Sequence, residues 1–269
     1  MKRKEVEKLF EGVGIEDAAF EAFALFRAFG CSDVQILTDN PDLTDEKFLK
    51  AVQRRATRVP LAYVLGQADF YRECYFVDEN CLVPRMDTEV LVDYAVKHME
   101  KGARFADLCT GSGCIAVSVL LHTENTTAYA ADISDGALRV AKKNAERYGV
   151  SNRLTLVRED VLQTQPKEKF FAVLSNPPYV KDDVYETLSP EVKNEPRAAF
   201  VGGADGMDFY RAIVGRYHDA LLPQGFFAFE IGFDQSDAIR KVASDFGFSC
   251  EIINDLGGRV RVAVLKLAQ

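Results

Sequence analysis

The sequence predicts an α/β protein: a mainly parallel, Rossmann-like sheet of seven strands with helices on both faces, preceded by a small helical domain and a β-hairpin linker. Three observations carry that prediction. From Arg104 onward, apolar runs of strand length alternate with amphipathic stretches of helix length, which means parallel pairing through crossover helices. The first run ends in a glycine-rich turn, Cys109-Thr110-Gly111-Ser112-Gly113, at the end of the sheet where open α/β folds bind ligands. Before residue 68 the period is helical instead. The expected divisions are residues 1–67 for the helical domain, 68–84 for the hairpin and 85–269 for the sheet domain.

Each element has its own signal. Ile15, Ala19, Phe23 and Phe26 fall on one helical face, with Gly30 as a stop. Thr44, followed by Asp45 and Glu46, reads as an N-cap; Arg54, Arg55 and Arg58 gather at the far end, where the helix dipole favours cations, and Pro60 closes the helix. Phe70-Tyr71 and Tyr75-Phe76-Val77, separated by Arg72-Glu73-Cys74, read as a hairpin. Strands are then expected at 105–108, 127–131, 154–157, 170–174, 226–231, 250–253 and 259–265, and helices at 114–121, 135–148, 209–222 and 235–246. Only 176–207 lacks a regular pattern, and so long a loop in a compact domain is usually functional or disordered.

Composition removes several classes. With 269 residues, 48% hydrophobic and 28% charged, the chain can bury a sizeable core, so disorder and a miniature stapled scaffold are excluded. No stretch has the length of about 18 apolar residues that a membrane helix needs, and the N-terminus carries no targeting pattern, so no membrane partner and a cytoplasmic location are expected. The cysteines, at 31, 74, 81, 109, 114 and 250, lack metal-ligand spacing and read as reduced, inert thiols, with no metal expected. The formal charge of −8 tilts against a broad phosphate-binding surface, so no direct nucleic-acid partner is expected.

The glycine turn points to a nucleoside-bearing cofactor. Asp132, at the end of the second strand, is placed to accept both hydroxyls of an adenosine ribose; its plainer reading is a helix N-cap. A dinucleotide fingerprint needs a third glycine where Ala116 stands, and a phosphate loop needs Gly-Lys-Ser/Thr, which is absent, so a cofactor without phosphate is expected. Asp107, just before the turn, suits an ammonium group, which fits the methionine end of S-adenosylmethionine. Asp160 is placed to accept from the adenine amino group, or is an ordinary strand-end carboxylate.

The fourth strand ends in Ser175-Asn176-Pro177-Pro178-Tyr179. Two prolines fix φ and remove two N–H donors, leaving a rigid corner rich in acceptors. The Asn176 side-chain oxygen and the Pro177 carbonyl can each take one proton of an –NH2 group, and Tyr179 offers a ring face to a planar target.

The Asp-x-x-Thr-Gly-x-Gly turn, Asp132 and the Asn-Pro-Pro-Tyr corner together resemble class I methyltransferases that alkylate planar amino or amide nitrogens. The segments Pro84-Arg85-Met86-Asp87-Thr88-Glu89, Glu195-Pro196-Arg197-Ala198-Ala199-Phe200 and Gly203 to Arg211 narrow the resemblance to the PrmC (HemK) family. It runs from about Ala56 to the C-terminus, while the helical start is similar to the family's substrate-recognition domain by position and pattern only. Cys109 stands where the family commonly has glycine. The resemblance implies S-adenosylmethionine as cofactor, held by Asp107, Cys109, Thr110, Gly111, Ser112, Gly113, Asp132, Ile133, Asp160, Val161 and Asn176. It implies Asn176 and Pro177 as catalytic residues, with Pro178 and Tyr179 beside them on the substrate. The implied reaction is methylation of the glutamine amide in the Gly-Gly-Gln loop of peptide-chain release factors, which supports translation termination. Three rivals stand beside it: a ribosomal-protein glutamine, an exocyclic base amine flipped from nucleic acid, and a non-catalytic cofactor-binding module. A nicotinamide oxidoreductase is more distant, for want of the third glycine.

Overall fold

The computed structural model describes residues 1–268, so Gln269, the last residue of the expected sheet domain, lies outside the described residues. The chain folds as two compact units. One is Met1–Gln67 together with Ser189–Glu195; the other is Ala68–Leu188 and the chain from Pro196 onward.

The first unit holds α1 (Arg3–Gly12), α2 (Ala18–Ala28), α3 (Asp33–Thr38), α4 (Glu46–Ala56) and α5 (Leu61–Leu65). Its core gathers Phe10, Leu25, Phe26 and Phe48, all fully buried, with Phe26 and Phe48 edge to face at 4.8 Å. Two expectations shift by a residue or two. The buried face of α2 is Ala18, Ala22, Leu25 and Phe26, while Ala19 is exposed, because Ile15 lies before the helix and a count started there is out of phase. Asp45, not Thr44, caps α4, accepting from the Lys47 and Phe48 N–H groups at 2.9 and 3.1 Å. Pro60 does not end α4 at all; it precedes α5 as its N-cap.

In the second unit, β1 (Gln67–Phe70) and β2 (Glu73–Phe76) form the hairpin. The rest follows as α6 (Glu89–His98), β3 (Arg104–Leu108), α7 (Cys114–His122), β4 (Thr127–Asp132), α8 (Asp135–Arg147), β5 (Leu154–Arg158) and β6 (Phe170–Ser175). After the short turns α9 (Asp182–Tyr185) and α10 (Pro190–Lys193), the latter belonging to the first unit, come α11 (Asp208–Tyr217), β7 (Leu221–Glu230), α12 (Ser236–Asp245), β8 (Phe248–Asn254) and β9 (Val260–Leu267). The seven-stranded sheet has the order β5-β4-β3-β6-β7-β9-β8. β5 to β7 run parallel, and β9 pairs antiparallel with both β7 and β8. Apolar side chains pack on both faces: Leu91, Val117, Leu120 and Ala172 on one, Ile213, Val214, Phe227 and Ile239 on the other. The expected helix to residue 222 stops at Tyr217, and a 3-10 turn leads into β7 at Leu221. A register shift between Phe170 and Ala172, with Gln224 at φ +66°, absorbs Pro223 inside that strand.

Strand order reverses between β3 and β6, so the loops after these two strands diverge and leave a crevice at the carboxyl edge. Both motifs read from the sequence sit there. Among the described residues, no helix is long and apolar enough to cross a membrane.

Candidate active site

The turn after β3 is tightly wound. Cys109, Gly111 and Gly113 take φ of +60°, +55° and +78°, so a non-glycine residue occupies the left-handed region at the position where the sequence departs from the family. A Cβ on Gly113 would meet the Ala141 Cβ at 2.9 Å, which is how the turn brings α7 close to α8. Burial pushes the Cys109 thiol well up and Cys114 to about 12, so neither is a thiolate at neutral pH.

Asp107 is fully buried. Its Oδ2 accepts from the Thr110 hydroxyl at 2.6 Å and the Ala116 N–H at 3.1 Å, which shapes the turn from within, while Oδ1 has no partner among the described residues. Desolvation raises this carboxyl to about 7, against those two hydrogen bonds. A buried acceptor without a donor can take an ammonium group, so its chemistry is compatible with the methionine end of S-adenosylmethionine.

Asp132 is not the cap of α8; Ser134 is, accepting from the Ala137 N–H at 3.2 Å. The Asp132 oxygens instead accept from the Gly111 and Ser134 N–H groups, each at 2.9 Å, clasping the two loops together. Lone pairs remain for two further donors, the number a ribose diol offers. Burial raises its pKa. Asp160 accepts from the Leu162 N–H and the Gln163 side chain, at 3.0 and 2.7 Å.

The turn and the carboxylates Asp132 and Asp160 border a cavity of about 330 Å³, within the range of small-ligand pockets. It brings together Cys109, Gly111, Asp132, Ile133, Asp160, Val161, Asn176 and Pro178. Ile133 is 56% exposed, an apolar side chain open toward this cavity. Thr110 and Ser112 instead line a small adjoining cavity, also bordered by Asn176, while Asp107, Gly113 and Pro177 line none of these. A further cavity of about 50 Å³ is bordered by Asn176, Tyr179, Arg85 and Glu230.

The Asn-Pro-Pro-Tyr corner is fixed from several sides. The Ser175 hydroxyl donates to the Leu108 carbonyl at 2.5 Å, tying the end of β6 to the end of β3. The loop beyond is ordered: the Val180 N–H donates to the Phe200 carbonyl and the Gly202 N–H to the Val180 carbonyl, and the Gln235 amide donates to the carbonyls of Tyr179 and Gly206, both at 3.2 Å. A Cβ on Gly206 would meet the Tyr179 carbonyl oxygen at 2.3 Å, and one on Gly202 the Pro178 oxygen at 2.4 Å, so backbone packs directly on the corner. Asn176 Nδ2 donates to Thr88 Oγ1 at 3.1 Å, and Thr88 donates to Glu230 Oε2 at 2.5 Å. The Tyr179 hydroxyl donates to Glu230 Oε1 at 3.1 Å.

Thr88 and Glu230 escape sequence reasoning as site residues. Glu230 was visible only as a lone carboxylate ending an apolar strand, and Thr88 only as part of a flanking segment. Asn80, Cys81 and Leu82, which border the large cavity from the chain after the hairpin, carry no periodic signal.

Sheet order, glycine turn and this cavity define a class I methyltransferase that uses S-adenosylmethionine. Residues 86–192 match the methyltransferase small domain family and residues 3–66 the PrmC N-terminal domain family. The solved structure of ribosomal protein L11 methylase from Lactobacillus delbrueckii subsp. bulgaricus shares the fold, with TM-score 0.53 and 18% identity over 71% of this chain and 84% of that one. The release factor glutamine methyltransferase of Thermodesulfovibrio yellowstonii is 36% identical over 87% of this chain and 86% of its own length. That of Geobacter sulfurreducens is 36% identical over 93% and 89%. The chain belongs to the release factor glutamine methyltransferase family.

Proposed function

We propose that this protein transfers the methyl group of S-adenosylmethionine to the side-chain amide nitrogen of the glutamine in the Gly-Gly-Gln motif of peptide-chain release factors. The observation that carries the reading is the place of Asn176: at the end of β6 it borders both the large cavity and its small neighbour, the position of a group that faces cofactor and substrate at once. When bound, S-adenosylmethionine supplies an electrophilic methyl group on a sulfonium. Asp107 takes its ammonium, Asp132 its ribose hydroxyls and Asp160 its adenine amino group, with Ile133 and Val161 as the apolar walls. The turn residues Cys109, Thr110, Gly111, Ser112 and Gly113 shape the rest of that pocket. In the same reading the helical N-terminal unit, residues 1–67, recognises the substrate, and 68–84 links it to the methyltransferase domain from residue 85.

An amide nitrogen is a poor nucleophile because its lone pair is delocalised into the carbonyl. The Asn176 side-chain oxygen and the Pro177 carbonyl each accept one amide N–H, which localises electron density on nitrogen and fixes its direction of attack. Pro178 and Tyr179 confine the planar group. As the new N–CH3 bond forms the S–CH3 bond would break and leave S-adenosylhomocysteine as a neutral thioether; the alkylated nitrogen turns acidic and gives a proton to solvent, so no strong base is required. Positioning and preorganised acceptors supply most of the rate.

The test is to incubate the protein with labelled S-adenosylmethionine and a release factor and to map the labelled residue. Label on the Gly-Gly-Gln glutamine is expected; label on any other residue overturns the reading. Asn176→Ala should lower turnover by about a hundredfold or more while S-adenosylmethionine still binds; wild-type turnover in that variant removes Asn176 from its role.

A further inference from the structure

Asn176 can serve as an acceptor only if its amide is turned the right way, and an amide has two orientations of nearly equal shape. We propose that Glu230, acting through Thr88, sets that orientation: the chain Glu230–Thr88–Asn176 holds the Asn176 NH2 inward, so that its oxygen is presented to the substrate amide.

Glu230 is 2% exposed, and two hydroxyls, those of Thr88 and Tyr179, are directed at its two oxygens, at 2.5 and 3.1 Å. A carboxylate has no proton to give, so both hydroxyls must donate to it. Thr88, itself 2% exposed, has one hydroxyl proton and spends it on Glu230; toward Asn176, 3.1 Å away, its oxygen can only accept. The neighbour of Thr88 must then be the NH2 end of Asn176, and Oδ1 is left on the other side. Were Thr88 free to rotate its hydroxyl, either end of the amide would be satisfied and half of the orientations would face the substrate N–H groups with another donor. Tyr179 is drawn into the same arrangement, since its hydroxyl shares the carboxylate and its ring borders the small cavity with Asn176. Glu230 is held in place in turn: it lies on β7, whose Phe229 pairs in register with Ser175, the residue before Asn176.

Glu230 and Thr88 are therefore positioning residues. The inference rests on the proposed role of Asn176, and the experiment separates the two. Methyl transfer to a release factor is measured for the wild type and for Thr88→Val, Thr88→Ser and Glu230→Gln, together with S-adenosylmethionine affinity and melting temperature. Thr88→Val keeps the shape and loses the hydroxyl; Thr88→Ser keeps the hydroxyl and loses the methyl. Thr88→Val and Glu230→Gln should lower kcat by about ten- to a hundredfold, with KM for the release factor and cofactor affinity within about twofold of wild type. Thr88→Ser should stay within about threefold of wild-type kcat. A second readout is the Asn176 side-chain amide pair in the 15N–1H spectrum of the cofactor-free protein: one sharp pair in the wild type and Thr88→Ser, an exchange-broadened pair in Thr88→Val. Wild-type kcat in Thr88→Val, or an equal fall in Thr88→Ser, overturns the inference while leaving the methyl transfer intact. A wild-type protein that transfers no methyl group to the release factor overturns the proposed function, and this inference with it.

Discussion

Asp107 is a carboxyl that the fold buries and then supplies with one donor too few. Its pKa of about 7 lies above the value near 4 of an unfolded chain, so the folded protein binds this proton more tightly than the unfolded one. The sign follows: the group's contribution to stability is complete below about pH 4 and is lost as pH rises through about 7, on the order of 4 kcal/mol in all. An ammonium ligand reverses the balance, because it needs the ionised form. Affinity for S-adenosylmethionine should therefore weaken as pH falls below 7, by up to about tenfold per pH unit, and level off above about 8. Calorimetry in two buffers of different ionisation enthalpy should show proton release on binding near pH 7. Asp107→Asn should unfold at higher temperature than the wild type at pH 8 without cofactor, and bind cofactor weakly with little pH dependence. Affinity that is flat from pH 6 to pH 8 in the wild type would exclude Asp107 as the ammonium partner.

Among the elements, α7 is placed by the residue that precedes it. Gly113 caps it in the left-handed region and leaves no room for a Cβ against Ala141 of α8, so the glycine turn and the α7–α8 contact are one structure. Gly113→Ala combines backbone strain with overpacking, about 2–4 kcal/mol together, and should lower the urea midpoint while weakening cofactor binding, since the turn must move. Unchanged affinity in a folded variant would mean that the turn is not held by this contact. The same elements show what a sequence discloses. Strand β6 is buried along its whole length, and β3 and β4 are mostly buried with short apolar stretches, so a local pattern finds all three almost to the residue. The phase of α2, the cap of α4 and the start of β7 at Leu221 depend on which neighbour each element meets, and a local pattern carries no such information. The site divides in the same way. Residues next to a glycine or proline motif were legible because the motif marks the end of a strand. Thr88 and Glu230 act through a hydrogen bond between positions 142 apart, which only the folded sheet creates.

On the scale of the whole molecule, an excess of 41 acidic over 33 basic residues leaves carboxylates to serve as structural partners, and the first unit uses them to enclose a guanidinium. Arg55 is 2% exposed on α4; it bonds Glu21 through Nε and Nη2, and its Nη2 also donates to Glu191 at 3.0 Å. Arg58 grips the same Glu191 through Nε and Nη2, at 2.5 and 2.7 Å. Glu191 arrives from far along the chain, on the segment Ser189–Glu195, so the first unit is completed only after most of the second has been threaded. Desolvation acts against the charge on Arg55, and the two carboxylates outweigh it, leaving its pKa raised. Arg55 Nη1 has no partner among the described residues, so the Glu21 and Glu191 contacts carry the compensation of this buried charge. Breaking a buried pair by removing one charge is worth about 3–5 kcal/mol, and the partly exposed Arg58 contact adds about 1 kcal/mol or less. Glu191→Gln keeps the shape and one acceptor oxygen, so the expected loss is smaller, about 2–3 kcal/mol. Because each unit has its own core, that loss should fall on one of them. Native-state hydrogen exchange should show faster exchange at the α2 and α4 amides by about thirty- to a hundred-and-sixtyfold, the equivalent of that loss, with β3 and β6 amides unchanged. Equal acceleration in both units would mean that they unfold as one body, and that Glu191 secures the whole chain.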